Sequence, residues 1–176
     1  MTARGHCILS HGFESGPDAT KVTALADAAE RAGWSHARPD YTDLDARHEV
    51  GPFGDVRARL RRLEALAREA ARRGPLVLAG SSLGAWICGR VSLQVPVAGL
   101  FLMAPPISMS PAPPLEAAEV PIAIVHGWDD ELIPVTEVIA WARLRKARLA
   151  LVDDGHRLAA HVEYCGEAFA QFLATL

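Results

Sequence analysis

The sequence predicts a three-layer α/β/α domain built on a mostly parallel sheet of about six strands. Three observations predict it. Short apolar runs such as residues 5–10 (GHCILS), 76–80 (LVLAG) and 97–104 (VAGLFLMA) lack polar alternation, as expected of strands buried on both faces. Longer stretches with helical periodicity separate these runs, the order of strand–helix–strand units. The 176 residues contain no repeat, low-complexity tract or linker, so 1–176 reads as one domain.

Each element follows in order. The strand at 5–10 ends in the turn-rich His11-Gly12-Phe13-Glu14-Ser15-Gly16-Pro17. Val22, Leu25, Ala26 and Ala29 share one helical face, and Gly33 terminates that helix. A strand near 34–41 and a polar loop through Gly54 come next. Residues 55–73 form a helix closed by Gly74-Pro75. Strand 76–80 runs into helix 83–91. Strands 97–104 and 120–126 flank a Pro-rich connection, 105–119, with little helical potential. Helix 136–146, strand 148–153 and helix 158–173 complete the chain.

Charge and composition narrow the function. Eighteen basic and 21 acidic residues leave a net charge of −3, so no basic field is expected to hold nucleic acid or an anionic membrane. The basic helix 57–73 (RARLRRLEALAREAARR) tests that expectation. Val56, Leu60, Leu63 and Ala67 share one face, which reads as an amphipathic cover helix with its arginines in solvent. No apolar run approaches the ~20 residues that span a bilayer. Residues 1–6 lead directly into Cys7-Ile8-Leu9 without a signal-peptide core, and a cytoplasmic location is expected. Cys7, Cys88 and Cys165 are odd in number and widely spaced. They read as small buried hydrophobes, not as a disulfide framework or zinc site.

Gly80-Ser81-Ser82-Leu83-Gly84 matches G-x-S-x-G between a strand and a helix. That turn lifts a serine hydroxyl clear of the sheet, and the flanking glycines relieve the crowding. The helix from Leu83 aims N–H groups and its positive dipole end at the same point. Ser82 in a bland Gly/Ser turn would serve only as a helix N-cap. Ser81 is the rival nucleophile, but the glycine frame centres on Ser82. The pentapeptide is neither a phosphate loop nor a dinucleotide fingerprint. No metal or cofactor motif occurs elsewhere, and none is expected.

A serine needs a base to take its proton, and the base needs a carboxylate to hold it. Downstream of Ser82, Asp129 and Asp130 follow one strand and His156 follows the last. The order Ser, Asp, His is that of a strand–elbow–helix hydrolase. All three leave the carboxyl ends of parallel strands, where open α/β sheets bind ligands. Of the seven histidines, only His156 is both beyond the acid and on a strand-end loop. His11 and His126, each before a glycine, suit turn stabilisation. Two N–H donors for a tetrahedral oxyanion would be the backbone amides of Leu83 and Phe13.

LSHGFESGP, GSSLG, HGWDDELIP and DDGH together make the chain resemble the α/β-hydrolase superfamily over nearly its whole length. It looks most like the small, lidless bacterial serine hydrolases and esterases of that superfamily. The resemblance implies Ser82 as nucleophile, Asp130 as acid, His156 as base and Phe13 and Leu83 as oxyanion donors. Asp130 stands four residues before Pro134, as the acid of such loops usually does. The chain departs from the family pattern in lacking the first antiparallel hairpin and any helical cap between 104 and 120. An open, shallow site is therefore expected, with Phe13, Met103, Trp128 and Leu132 as candidate substrate contacts. Relatives that dehalogenate or open epoxides use aspartate, and those that open dienelactones use cysteine. A serine implies acyl transfer from a small-molecule ester to water, with a thioesterase or an inactive scaffold on the same fold as the alternatives.

Overall fold

Short β-branched and leucine-rich runs pair with one another when helices can cover both faces of the resulting sheet. The computed structural model describes residues 3–176 and contains one six-stranded sheet in the order β2-β1-β3-β4-β5-β6. The strands are β1 (His6–Ser10), β2 (Ser35–Ala37), β3 (Leu76–Ser81), β4 (Gly99–Met103), β5 (Ile122–Gly127) and β6 (Arg148–Val152). Every neighbouring pair is parallel. Residues 1 and 2, the start of the segment that lacks a signal-peptide pattern, lie outside the described residues.

Alternation along each buried strand sends side chains to two separate cores. Cys7, Leu9, Val77, Ala79, Phe101, Val125 and their neighbours meet α1 (Thr20–Arg31) and α6 (Val162–Leu173). Ile8, Leu76, Leu78, Leu100, Leu102 and Ile124 meet α3 (Val56–Ala71), α4 (Leu83–Ser92) and α5 (Val135–Arg145). The result is the expected three-layer fold. Among the described residues no helix is long and apolar enough to cross a membrane. The three cysteines are free and buried.

Beyond element ends shifted by one or two residues, four details differ from the sequence reading. The strand near 34–41 is only Ser35–Ala37, because Trp34 and Tyr41 turn into the core. The polar loop through Gly54 contains a short helix, α2 (Thr42–Asp45), whose Asp45 is buried. The last helix begins at Val162, after a 3-10 turn at Ala159–His161 that follows Leu158 in a left-handed conformation. Not all arginines of α3 sit in solvent: Arg59 is fully buried, paired with Asp45. The 105–119 connection is irregular, as expected, and it packs on α4 and α5. There the Trp86 and Trp141 indole N–H groups donate to the Pro113 and Leu115 carbonyls at 3.1 and 3.0 Å.

The order of strands reverses between β1 and β3, opening a crevice at their carboxyl ends. In mid-β4, Phe101 is wholly buried, with its ring 5.0 Å from Phe169 and 6.1 Å from Phe172 of α6. Phe101→Ala should cost about 3–5 kcal/mol of unfolding free energy by leaving a cavity in this aromatic cluster. Urea unfolding followed by circular dichroism measures it; a loss under 1 kcal/mol would contradict the packing.

Candidate active site

Ser82 sits between β3 and α4 with φ 53° and ψ −121°, a conformation that costs a side-chain-bearing residue about 1–3 kcal/mol. The surroundings enforce it. A Cβ on Gly80 would lie 2.5 Å from the Gly84 carbonyl, and one on Gly84 would collide with the Ser10 carbonyl oxygen. Glycine at both positions lets the first turn of α4 lie directly over the end of β1. Ser82 occupies the N-cap position, but its side chain makes no cap bond. Its hydroxyl lies 3.0 Å from Nε2 of His156 instead.

His156 follows β6, and its Nδ1 lies 2.9 Å from Oδ2 of Asp130. The Asp130 carboxylate is wholly buried. Its other oxygen, Oδ1, accepts the backbone N–H groups of Leu132 and Ile133 at 2.9 and 2.8 Å, closing the loop after β5 as an Asx turn. An ionised carboxylate only accepts, so Nδ1 of His156 carries the proton and Nε2 is free to accept from Ser82. Burial pushes the Asp130 pKa up, but the hydrogen bonds from His156 and from the Ile133 and Leu132 amides outweigh it and hold the pKa below the ordinary value.

The neighbouring acids have other work. Asp129 is exposed, and its backbone N–H donates to the Asp154 carbonyl at 3.1 Å. The turn after β5 is closed by Asp130 and not by Asp129, because the 132 and 133 amides face Asp130. Asp154 accepts from the Gly155 and Ala160 amides at 2.8 and 2.9 Å, with His161 Nδ1 at 3.0 Å. Glu131 accepts the His156 amide at 3.0 Å. Both acids shape the loop that presents His156.

His11 is fully buried, and burial lowers its pKa. As the neutral Nδ1–H tautomer it donates to the Gly12 carbonyl at 2.8 Å and accepts the Tyr41 amide on Nε2 at 2.9 Å. His126, also lowered by burial, donates from Nε2 to the Ile133 carbonyl at 3.1 Å, with Asp130 Oδ2 3.6 Å away.

Sequence reasoning missed Asp45 and Arg59. Nε and Nη2 of Arg59 donate to the two Asp45 oxygens at 2.7 and 2.6 Å. Nη1 and Nη2 also donate to the His11 and Gly12 carbonyls, each at 3.1 Å. Its position was a readable signal: Arg59 lies three residues after Val56 and four before Leu63, on the apolar face.

The remaining candidates divide. The backbone N–H groups of Phe13 and Leu83 have no protein partner among the described residues. The Phe13 ring is half-buried, edge-on to Phe53 at 5.7 Å and His48 at 6.4 Å. Trp128 and Leu132 are 53% and 68% exposed on the loop after β5. Met103 is wholly buried in the core on the α1–α6 side; its odd register in β4 turns it inward, so it offers no surface to a substrate.

No protein-family model matches this sequence, and no curated protein matches it. Solved structures do. A protein from Xanthomonas campestris pv. campestris, provisionally named a hydrolase of the alpha/beta superfamily, is 66% identical with a TM-score of 0.97, over 98% of this chain and 100% of its own. Est1E from Butyrivibrio proteoclasticus has a TM-score of 0.79 at 18% identity, over 99% of this chain and 89% of its own. An esterase from Pyrococcus furiosus has a TM-score of 0.73 at 15% identity, over 98% and 82%. The last two are likenesses of fold.

Because the folded-state pKa of Asp130 is lowered, its contribution to stability is complete at neutral pH. That contribution is lost as the pH falls from the unfolded value of ~3.9 through the lower folded one. Asp130→Asn should therefore lose stability less steeply than the parent between about pH 5 and 2. Denaturant melts across that range measure the two slopes, and equal slopes would show that the carboxylate gains nothing on folding.

Proposed function

The chain belongs to the α/β-hydrolase superfamily, and from that premise we propose that it is a serine hydrolase cleaving carboxylic esters of small to medium acyl groups. The observation that carries this reading is the unbroken chain from Ser82 Oγ to His156 Nε2 at 3.0 Å and from His156 Nδ1 to Asp130 Oδ2 at 2.9 Å.

In this mechanism Ser82 Oγ attacks the acyl carbonyl carbon while its proton passes to Nε2 of His156. The carbonyl oxygen becomes an oxyanion held by the Phe13 and Leu83 amides. Collapse breaks the carbon–oxygen bond to the leaving group, which departs as an alcohol after taking the proton from Nε2. Water then attacks the acyl-enzyme and gives its proton to the same nitrogen. The tetrahedral species collapses to a carboxylic acid, and Nε2 returns the proton to Ser82. Asp130 stays ionised throughout and holds the imidazole in the productive tautomer.

Substrate size is proposed from the irregular 105–119 segment, which adds no helix over the crevice. Phe13, Trp128 and Leu132 remain the apolar surface available to an acyl group. Each buried CH₂ is worth ~0.8 kcal/mol, so a shallow site gains little from long chains. The proposed partner is the small-molecule substrate alone, without nucleic acid or membrane, and the proposed location is the cytoplasm.

A fluorophosphonate probe should label the wild type by displacing fluoride at Ser82, and should leave Ser82→Ala unlabelled. Equal labelling of the two would overturn the reading. Ser82→Ala and His156→Ala should each lose most turnover of short activated esters, and the double variant little more, because such residues act as a unit. Multiplicative losses would mean that one role is misassigned. Asp130→Asn should lose turnover on the order of 10⁴-fold through the wrong histidine tautomer, with Asp129→Asn close to wild type. The reverse pattern would move the acid to Asp129.

A further inference from the structure

We propose that the buried Asp45–Arg59 pair is a positioning device for the Phe13 amide, an inference that rests on the serine-hydrolase reading above. The guanidinium uses its fork twice. One side closes on both oxygens of Asp45, and the other reaches the carbonyls of His11 and Gly12 in succession. Asp45 Oδ2 in turn accepts the Glu14 amide at 3.0 Å. The loop from His11 to Glu14 is thus clamped on both sides of Phe13 by one ion pair.

Peptide geometry turns that clamp into an aim. The Gly12 carbonyl and the Phe13 N–H belong to the same planar trans peptide, so they point in opposite directions. Fixing the carbonyl on Arg59, with a second bond from His11 Nδ1 at 2.8 Å, sends the N–H away from the buried arginine. Gly12 itself abuts the elbow: a Cβ there would lie 3.3 Å from the Ser81 carbonyl and 3.5 Å from the Ser82 Cβ. The cation also polarises the peptide whose N–H donates, which strengthens that donor.

A purely structural ion pair would not need this arrangement. Burying two charges is expensive, and apolar residues of similar volume often serve stability as well. Tyr41 completes the enclosure, its ring 4.6 Å beneath the guanidinium and its amide bonded to His11 Nε2. Arginine is specified over lysine because the four hydrogen bonds, to both carboxylate oxygens and two carbonyls, exceed the three donors of an ammonium.

The test uses two variants of the full chain. Asp45→Asn/Arg59→Met removes both charges, so neither is left buried and unpaired. Arg59→Lys keeps the charge balance and carries the test if the double variant does not fold. Removing one oxyanion donor outright costs on the order of 10²–10³ in turnover. Misaiming it should lower kcat by ~10- to 100-fold, with KM within about twofold and affinity for a boronic acid analogue falling in step with kcat. Amide hydrogen exchange at residues 12–14 should accelerate while β1 stays protected. Wild-type kcat and unchanged exchange in the folded variants would overturn the positioning role and leave the hydrolase reading intact. Equal fluorophosphonate labelling of wild type and Ser82→Ala would instead remove the reaction, and the positioning role with it.

Discussion

The first turn of α4 lies against the end of β1 at a distance that admits no side chain at Gly84, and the rest of the site depends on that contact. The Ser10 and His11 carbonyls border the position where a Cβ would stand. Moving the helix outward would open the gap between Ser82 and the His11–Gly12 loop. The strain at Ser82 is sustained because the strand and the helix are each buried along their length. A rigid frame thus supports one costly residue, as is usual where backbone strain serves function.

Two further loops meet this frame at the same carboxyl edge of the sheet. The loops after β5 and β6 are tied to each other by backbone and side chain together: the Trp128 amide donates to the Val152 carbonyl at 2.8 Å, and Glu131 caps the His156 amide. Asp130 works in both directions, one oxygen closing its own turn and the other facing the histidine. Geometry at the imidazole is therefore inherited from the sheet through very few freely rotating bonds.

Much of this was legible in the sequence, for physical reasons that differ by element. Fully buried parallel strands show as unbroken apolar runs, so β3, β4 and β5 were visible and their misplaced ends were the only error. The elbow was visible because steric exclusion leaves glycine on either side of a serine. Chain order placed Asp130 and His156 at the same edge as Ser82, and the structure brings the three side chains together. What stayed hidden was tertiary. Asp45 looked like part of a polar loop, and Arg59 like one arginine among many, because its place on the apolar face of the helix names no partner. Met103 was misread since a position at a strand end does not reveal which face it joins.

The arginine on the apolar face of α3 has a consequence for how that helix can dock. Helix–sheet contacts made of leucine and alanine are forgiving, and a sixteen-residue helix could settle in more than one rotational setting at little cost. Successive residues are turned ~100° about the axis, so a slip by one position would swing the guanidinium into hydrocarbon and leave Asp45 charged and alone. Such a state is penalised by several kcal/mol. The longest helix of the fold is keyed to a single orientation by a polar contact, and its apolar neighbours need supply only adhesion.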